Sequence, residues 1–407
     1  MKVVLSSGLG PLHFVSSARF ISKKVHSLRF LCGYIPSQNA AFLMRIVSFL
    51  RGKKIDGSIK KRKIDCEAVD VHSCLFSECF NQFLMIVNRI VKGIYKKCYR
   101  IAWSFFGWES CFYLQKVDVF HVRSGAGQGG AIKKAKRLGM KVLVDHSALH
   151  PAQSYENLEN EFIKWGGKPT INPNAGVWVN VLRDCKDADM IVVNAEHIKD
   201  SFIKYGYPKE KLRVVYLGVR SDFQGLKENY TVNGDFRVLF TGGFILLKGA
   251  EYILESLRIL HSRGVPVHYD IVGQVSAPSL LLNKYKDLNI TFHGQVPQDE
   301  LKTFLHDADC YLFPSLADGC AQSGMEALSA GLPVVATYQS GLPITDGESG
   351  CVVPMKDAEA IADKIEWLIA HPEERESLGR NAAKMMREKY TWEKYAENMV
   401  KVYEEMV

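Results

Sequence analysis

The segment that most restricts how this chain folds is Cys310–Pro333, CYLFPSLADGCAQSGMEALSAGLP. Four apolar residues, Cys310–Phe313, read as a buried strand. Ser315 to Gly319 make a polar turn, and a helix that opens on small residues stops at Gly331-Leu332-Pro333. Asp318 and Glu326, separated by seven residues, straddle that turn and helix start. A strand, a loop and a helix N-terminus offer free backbone N–H groups to an anion such as phosphate. Acids beside them can hold neutral hydroxyls, so the combination suits a phosphorylated sugar or a nucleotide. On spacing alone, a plain βα turn with two solvated acids fits as well.

Elsewhere the same alternation recurs. Val3–Leu5 reads as a strand entering the loop Ser6–His13, whose Gly8 and Gly10 permit close backbone approach to a ligand. Lys141–Val144 and Asp187–Asn194 are further strands of the first half. His146, in Asp145-His146-Ser147, stands at a strand's C-terminal edge, where α/β enzymes place ligands. Leu217–Asp235 is polar and contains glycine, which marks a linker. Phe236–Thr241 then starts a second strand–helix series, with Gly242-Gly243 leading to Lys248-Gly249. At 407 residues one core is exceeded. The expected architecture is α/β, two doubly wound Rossmann-like domains over 1–220 and 221–388, with an amphipathic last helix in 389–407.

Hydrophobic residues at 47% and charged residues at 24% are those of an ordinary globular chain, with no run of the roughly 18 apolar residues that a membrane span needs. MKVVLSSGLG has too short an apolar run for a signal peptide and reads as a first strand. The ten cysteines contain no CxxC pair, so reduced cytosolic thiols are expected, with no zinc site and no disulfide framework. Of the net charge of +8, residues 1–120 carry more than the whole, with 19 Lys/Arg against 7 Asp/Glu. That imbalance suits an anionic partner, such as a membrane surface or an acidic glycan. Ala41–Leu50, followed by Arg51-Gly52-Lys53-Lys54 and Lys60–Lys63, suits anionic lipid, or else a core-facing helix and a solvated loop. Phe83–Val91 and Ile101–Trp108 are further apolar stretches with interspersed cations. No recognisable nucleic-acid module accompanies them, so nucleic acid is not expected as a partner.

Gly125-Ala126-Gly127-Gln128-Gly129-Gly130 satisfies GxGxxG after the strand Val117–Val122, and Asp145 ends the next strand. That layout offers an NAD(P)-dependent oxidoreductase as a competing reading. Its mid-chain position and the cationic run Lys133–Lys136 in the following helix oppose it.

Several motifs in order resemble the retaining glycosyltransferases of family 4, which have the GT-B fold. Besides Pro314–Pro333 they are Thr241-Gly242-Gly243, Lys248-Gly249, Pro333–Thr337, Gly341-Leu342-Pro343 and Gly350–Pro354. Weaker matches are Ala188–Asn194 and Tyr216–Val219. The resemblance implies a transferase using a nucleotide-diphosphate sugar, with Lys248 on the leaving diphosphate and Glu326 on the ribose. It further implies that Asp318 and His146 reach the donor sugar, and that the backbone of Ala321, Gln322 and Ser323 supplies helix-end donors. Gly8, Gly10, Gly242, Gly243 and Gly294 would line the cleft, and the Gly294 loop would meet the base. Three positions depart from the family pattern. Gly243 stands where many members have Arg, Asp318 is an acid shorter by one methylene, and Gly319-Cys320-Ala321 replaces Gly-Phe-Gly as a softer surround for the sugar. Retention without a metal or other cofactor is implied by the family. Asp187/Asp189 and Asp307/Asp309 precede strands, so they read as polar strand entries. The acceptor is expected to be a glycan or lipid-linked, in a setting such as bacterial surface-polysaccharide assembly on the inner membrane face. A non-catalytic membrane adaptor on the same fold is the third reading.

Overall fold

The computed structural model describes residues 1–10, 12–34, 66–167 and 171–407. The Ala41–Leu50 run and the basic clusters after it lie outside the described residues. The first half runs β1 (Lys2–Ser6), α1 (Phe14–Ile21), β2 (Ser27–Cys32) and β3 (Val69–Ser73). It continues through α2 (Leu75–Ile90), α3 (Ile94–Ser110), β4 (Val119–Arg123), α4 (Ala131–Arg137) and β5 (Lys141–His146). α5 (Pro151–Lys164), α6 (Trp178–Asp187), β6 (Met190–Val193), α7 (Glu196–Lys204) and β7 (Leu212–Val214) complete it.

These seven strands form one sheet in the order β3-β2-β1-β4-β5-β6-β7, with every pairing parallel. Parallel strands covered on both faces are apolar along their length, as Val142-Leu143-Val144 and Ile191-Val192-Val193 are here. The two-residue period deals alternate side chains to opposite cores. Val142, Val144 and Ile191 join Phe106 and Ile132 on one face. Leu143 and Val192 join Phe14 and residues near the C-terminus on the other.

The second half holds β8 (Phe236–Thr241), α8 (Ala250–Ser262), β9 (Val267–Val272), α9 (Ser279–Lys284) and β10 (Ile290–Gly294). α10 (Gln298–Asp307), β11 (Cys310–Phe313), α11 (Gln322–Ala330), β12 (Val334–Thr337) and β13 (Cys351–Val353) follow. Three helices close the chain: α12 (Ala358–Ala370), α13 (Pro372–Lys389) and α14 (Trp392–Met406). The six strands lie parallel in the order β10-β9-β8-β11-β12-β13. α14 returns to the first sheet, where Tyr395, Ala396, Met399 and Tyr403 are buried with Phe14 and Ala18 of α1.

Both sheets reverse their strand order once, between β1 and β4 and between β8 and β11. Loops leaving the strands on either side of such a point diverge, and the crevice between them receives ligands. The β1 loop with Gly8 and Gly10 opens one crevice; the Gly242–Lys248 and Pro314–Ala321 loops open the other. The stretch Leu217–Asp235 is not slack. Phe223 is fully buried, and the N–H groups of Gly225 and Lys227 donate to Ser329 and Ala330 at 2.9 and 2.8 Å. No helix among the described residues is long and apolar enough to cross a membrane.

Candidate active site

At the β8/β11 crevice the chain leaves β8 through Gly242-Gly243, makes one tight turn at Leu246–Lys248 and enters α8. Gly249 is required there: its φ is +79°, and a Cβ would lie 2.1 Å from the Pro314 carbonyl oxygen. That close approach brings the two loops together. Lys248 Nζ lies 3.3 Å from Asp318 Oδ2 and 5.1 Å from the centre of the Phe313 ring. The Lys–Asp contact is an ion pair without hydrogen-bond geometry, so Asp318 Oδ2 is buried with no hydrogen-bond partner. Its other oxygen accepts from the Gly319 N–H at 2.8 Å. A Cβ on Gly242 would come within 3.9 Å of Ser323 Oγ, and Ser323 is held by the Tyr311 hydroxyl at 3.0 Å. Lys248, Asp318 and the first turn of α11 thus face one space. The first N–H groups of a helix have no partner within it, so this turn presents donors to that space.

Glu326 lies one turn further along α11, half-buried. Burial pushes its carboxyl up to about 7, and Arg220 offsets part of the shift. Arg220 is itself clamped on Asp222, at 3.0 and 2.6 Å. At Gly243 a side chain would meet nothing within 4 Å, so the position is open and carries no cation. Gly294 ends β10 with φ +70°, and its carbonyl accepts from Gly273 N–H at 2.7 Å beside β9. Cys320 corrects the expectation of a soft sugar wall. Its side chain is packed in the second core, where burial raises the thiol to about 12.

The first sheet supplies the opposing wall. His146 ends β5, fully enclosed beside Phe202 and Trp178. Its Nδ1 shares a 2.8 Å hydrogen bond with Ser124 Oγ, and its Nε2 is buried without a partner. Burial lowers its pKa to about 4, which keeps the ring neutral near pH 7. Asn194, just after β6, leaves its Oδ1 equally unpartnered. The walls touch at Gly319, where a Cβ would sit 2.2 Å from the Ser147 carbonyl oxygen and 3.7 Å from Asn194 Nδ2. His197 of α7 bonds the Asp318 carbonyl at 2.7 Å, which requires the proton on Nε2. Its Nδ1 is then a bare, buried acceptor. Asn194 and His197 have no spacing signature in the sequence. Their signals are that they follow a strand's C-terminal end, near which His146 also stands, and that Asn194 closes the weaker family match Ala188–Asn194.

Arg123 ends β4, donates to the Gly10 carbonyl at 2.9 Å and lies 4.8 Å over the Trp103 ring. Gly8 is packed against that ring too, so the β1 loop is fixed by Trp103 and Arg123. Behind it, Asp145 accepts from His13 at 3.1 Å and His121 at 3.3 Å, and His121 meets the Tyr403 hydroxyl of α14 at 2.7 Å. Burial alone would raise the Asp145 carboxyl, but the two imidazoles outweigh it and hold the group well below the carboxylate range.

That network removes Asp145 from the role of a ribose acid in a dinucleotide site. The glycine loop is equally committed. Asp184 accepts the N–H groups of Gly125 and Gly127 at 2.7 and 2.8 Å and the Gln128 amide at 2.7 Å. A side-chain carboxylate occupies the donors that a pyrophosphate would use. The two Asp-x-Asp pairs sit at the amino ends of β6 and β11, away from the crevices. Asp189 there bonds Val142 N–H, and Asp309 bonds Arg237 N–H, at 2.8 and 2.9 Å.

Two facing parallel-sheet domains, with loops converging from both on one cleft, have the architecture of the GT-B fold. Residues 70–223 match the family model described as Glycosyltransferase Family 4, and residues 223–385 match that of Glycosyl transferases group 1. The amylovoran biosynthesis glycosyltransferase AmsK of Erwinia amylovora is 32% identical over 172 residues, 39% of this chain and 42% of AmsK. The capsular polysaccharide biosynthesis glycosyltransferase CapM of Staphylococcus aureus is 25% identical over 234 residues, 52% of this chain and 60% of CapM. The chain therefore matches only about half the length of these relatives. Among solved structures, Anabaena Alr3699/HepE in complex with UDP superposes with a TM-score of 0.63 at 13% identity, covering 100% of both chains. That likeness is one of fold.

Proposed function

We propose that this chain is a retaining, metal-independent glycosyltransferase that moves a sugar from a nucleotide-diphosphate sugar to a glycan or lipid-linked acceptor. The observation that carries the reading is the convergence of Lys248, Asp318 and the α11 N-terminus at the β8/β11 switch point, with His146 and Asn194 closing the space from the first domain. The glycosidic bond breaks with negative charge growing on the diphosphate. A fixed ammonium and helix-end N–H groups stabilise that charge where it develops, the task a metal performs elsewhere. Lys248 has three N–H donors, so it bonds a phosphate oxygen while still facing Asp318. Glu326 accepts from the ribose hydroxyls. Asp318 Oδ2 and His146 Nε2 are buried polar atoms in need of partners, and sugar hydroxyls supply them. The acceptor enters from the β1 loop and attacks the face the leaving group departs from. The departing phosphate oxygen takes the acceptor proton, so configuration is retained without an enzyme nucleophile.

HepE holds UDP, and it has also been solved with UDP-glucose, which supports a nucleotide-diphosphate donor. The relatives in amylovoran and capsule biosynthesis support a role in polysaccharide assembly, for which the inner face of the membrane is the setting we propose. The test is a screen of binding and hydrolysis across UDP-, GDP- and ADP-sugars, with thermal shift by UDP, GDP and NAD alongside. Lys248→Ala and Glu326→Ala should each abolish donor use while leaving the fold intact, as read by circular dichroism. Wild-type donor affinity in both variants, or a shift by NAD alone, would overturn the assignment.

A further inference from the structure

α2 and α3 form an antiparallel pair that buries one side of each helix in the first core, through Leu84, Ala102, Trp103 and Phe106. Ordinary surface helices turn a polar side outward. These two do not. On α2 the outward positions Phe76, Phe83 and Ile90 are 71%, 58% and 84% exposed. On α3 and the turn after it, Ile101, Trp108 and Phe112 are 58%, 48% and 68% exposed. The spacing of seven within each helix puts each set on one stripe. Phe105 joins the two stripes: it stands edge-on to Phe80 at 5.7 Å and stacks on Trp108 at 5.4 Å, which meets Phe112 at 5.0 Å. Eight of the fourteen large hydrophobic residues exposed among the described residues fall in 75–112, so the patch is a local concentration rather than scatter.

The charges on this pair settle the kind of partner. Its acids, Glu78 and Glu109, are both buried, and Glu109 caps α2 by accepting from Phe76 and Ser77 N–H. Arg89, Lys92 and Lys97, by contrast, are exposed around the α2–α3 turn. A self-pairing of this face would bring Lys92 and Lys97 against their copies, and among the described residues these two helices expose no acid. Aromatic and aliphatic side chains beside the exposed Lys92 and Lys97 match the interface of a bilayer with anionic headgroups.

We propose that the outward face of α2 and α3 docks the protein on an anionic lipid surface. This rests on the membrane-side reading above and deepens it by assigning it a surface. The inner side of α3 carries Trp103, which supports Arg123 and the β1 loop, so docking sets the acceptor side of the cleft beside the bilayer.

The experiment is co-sedimentation of the full chain with phosphatidylcholine vesicles, with and without phosphatidylglycerol. Wild type should bind the anionic vesicles selectively. Phe83→Ser/Trp108→Ser and Lys92→Glu/Lys97→Glu should each weaken that binding by about tenfold or more. All of these positions are exposed, so unfolding midpoints should stay at the wild-type value. UDP-sugar hydrolysis in solution should be unchanged in both variants. Loss of hydrolysis in wild type with vesicle binding intact would sink the catalytic reading and leave this one standing. Indifference of wild type to phosphatidylglycerol would overturn the proposal. So would a light-scattering mass of two chains that reverts to one in Phe83→Ser/Trp108→Ser, or a Trp108 shielded from acrylamide without vesicles.

Discussion

Half-buried on α11, the Glu326 carboxyl is pushed up to about 7 by desolvation, while its proposed partner, a ribose, needs it ionised. The two demands have opposite signs. The folded pKa lies above the unfolded one, so between about 4.3 and about 7 the folded chain holds a proton that the unfolded chain has lost. Stability of the free protein therefore falls as pH rises through that window, by at most about 4 kcal/mol at about 1.4 kcal/mol per unit. Nucleotide affinity should move the other way, rising as pH climbs through about 7. Calorimetric titration of UDP across that range, with Glu326→Gln beside wild type, checks both trends. The variant should bind weakly at every pH and show neither slope; a slope that survives in Glu326→Gln assigns the titration to another group. Lys248, Asp318 and Glu326 were legible in the sequence because each sits in a motif whose neighbours fix the backbone around it. Asn194 and His197 were not, since their placement depends on Gly319 meeting Ser147 from the other half of the chain. The direction of the Cys320 side chain was misjudged for a similar reason: a turn residue's spacing does not say which side of the loop it packs on.

At the scale of elements, the loop Gly125–Gly130 shows what glycine spacing reports and what it omits. It reports a strand-to-helix turn with close backbone packing, and that turn is present between β4 and α4. It omits which group takes the freed N–H donors. Here the acceptor is Asp184, 59 residues beyond Gly125 and on a different helix. Asp184→Ala should therefore act as a structural lesion: three donors lose a buried partner, at about 1–3 kcal/mol for each that water cannot reach. Urea denaturation should show a loss of about 2 kcal/mol or more, with Asp184→Asn milder because one oxygen acceptor remains. NAD should shift neither the variant nor wild type. A variant as stable as wild type, or one that gains NAD binding, would show that the loop is an unoccupied phosphate cradle. The strands themselves were the most legible elements, since buried parallel strands are apolar runs bounded by turn residues. α2 and α3 were seen only as apolar stretches with cations, because helices apolar on two sides lack a clean one-faced period.

Across the whole molecule, two buried carboxylates exchange partners between the halves. Glu161 of α5 accepts from the Tyr252 hydroxyl at 2.8 Å and pairs with Lys356 Nζ at 2.9 Å. Glu251, at the start of α8, accepts from Trp165 Nε1 at 2.6 Å and pairs with Lys164. At the other end of the seam the chain crosses twice side by side, where Val219 N–H donates to the Tyr390 carbonyl at 2.9 Å. One end is thus a covalent hinge and the other a polar clasp. Removing the two carboxylates frees lysines that water reaches, 56% and 28% exposed, and leaves the Tyr252 hydroxyl and the Trp165 N–H without acceptors, at about 1–3 kcal/mol for each that stays dry. Glu161→Ala/Glu251→Ala should accordingly release the clasp and let the halves swing apart about the crossing. The diphosphate and ribose contacts proposed above, Lys248 and Glu326, lie in the second domain alone, so the UDP dissociation constant should stay near wild type. In the proposed reaction His146 and Asn194 are brought against the donor sugar, and misplacement by about 1 Å costs on the order of a hundredfold. The expected outcome is a larger radius of gyration in solution scattering, intact UDP binding and a fall in kcat of about tenfold or more. A loss of UDP affinity in step with kcat would mean that the donor site spans both domains. Unchanged scattering and kcat would mean that Gly319 against Ser147, with His197 bonded to the Asp318 carbonyl, suffices to hold the cleft closed.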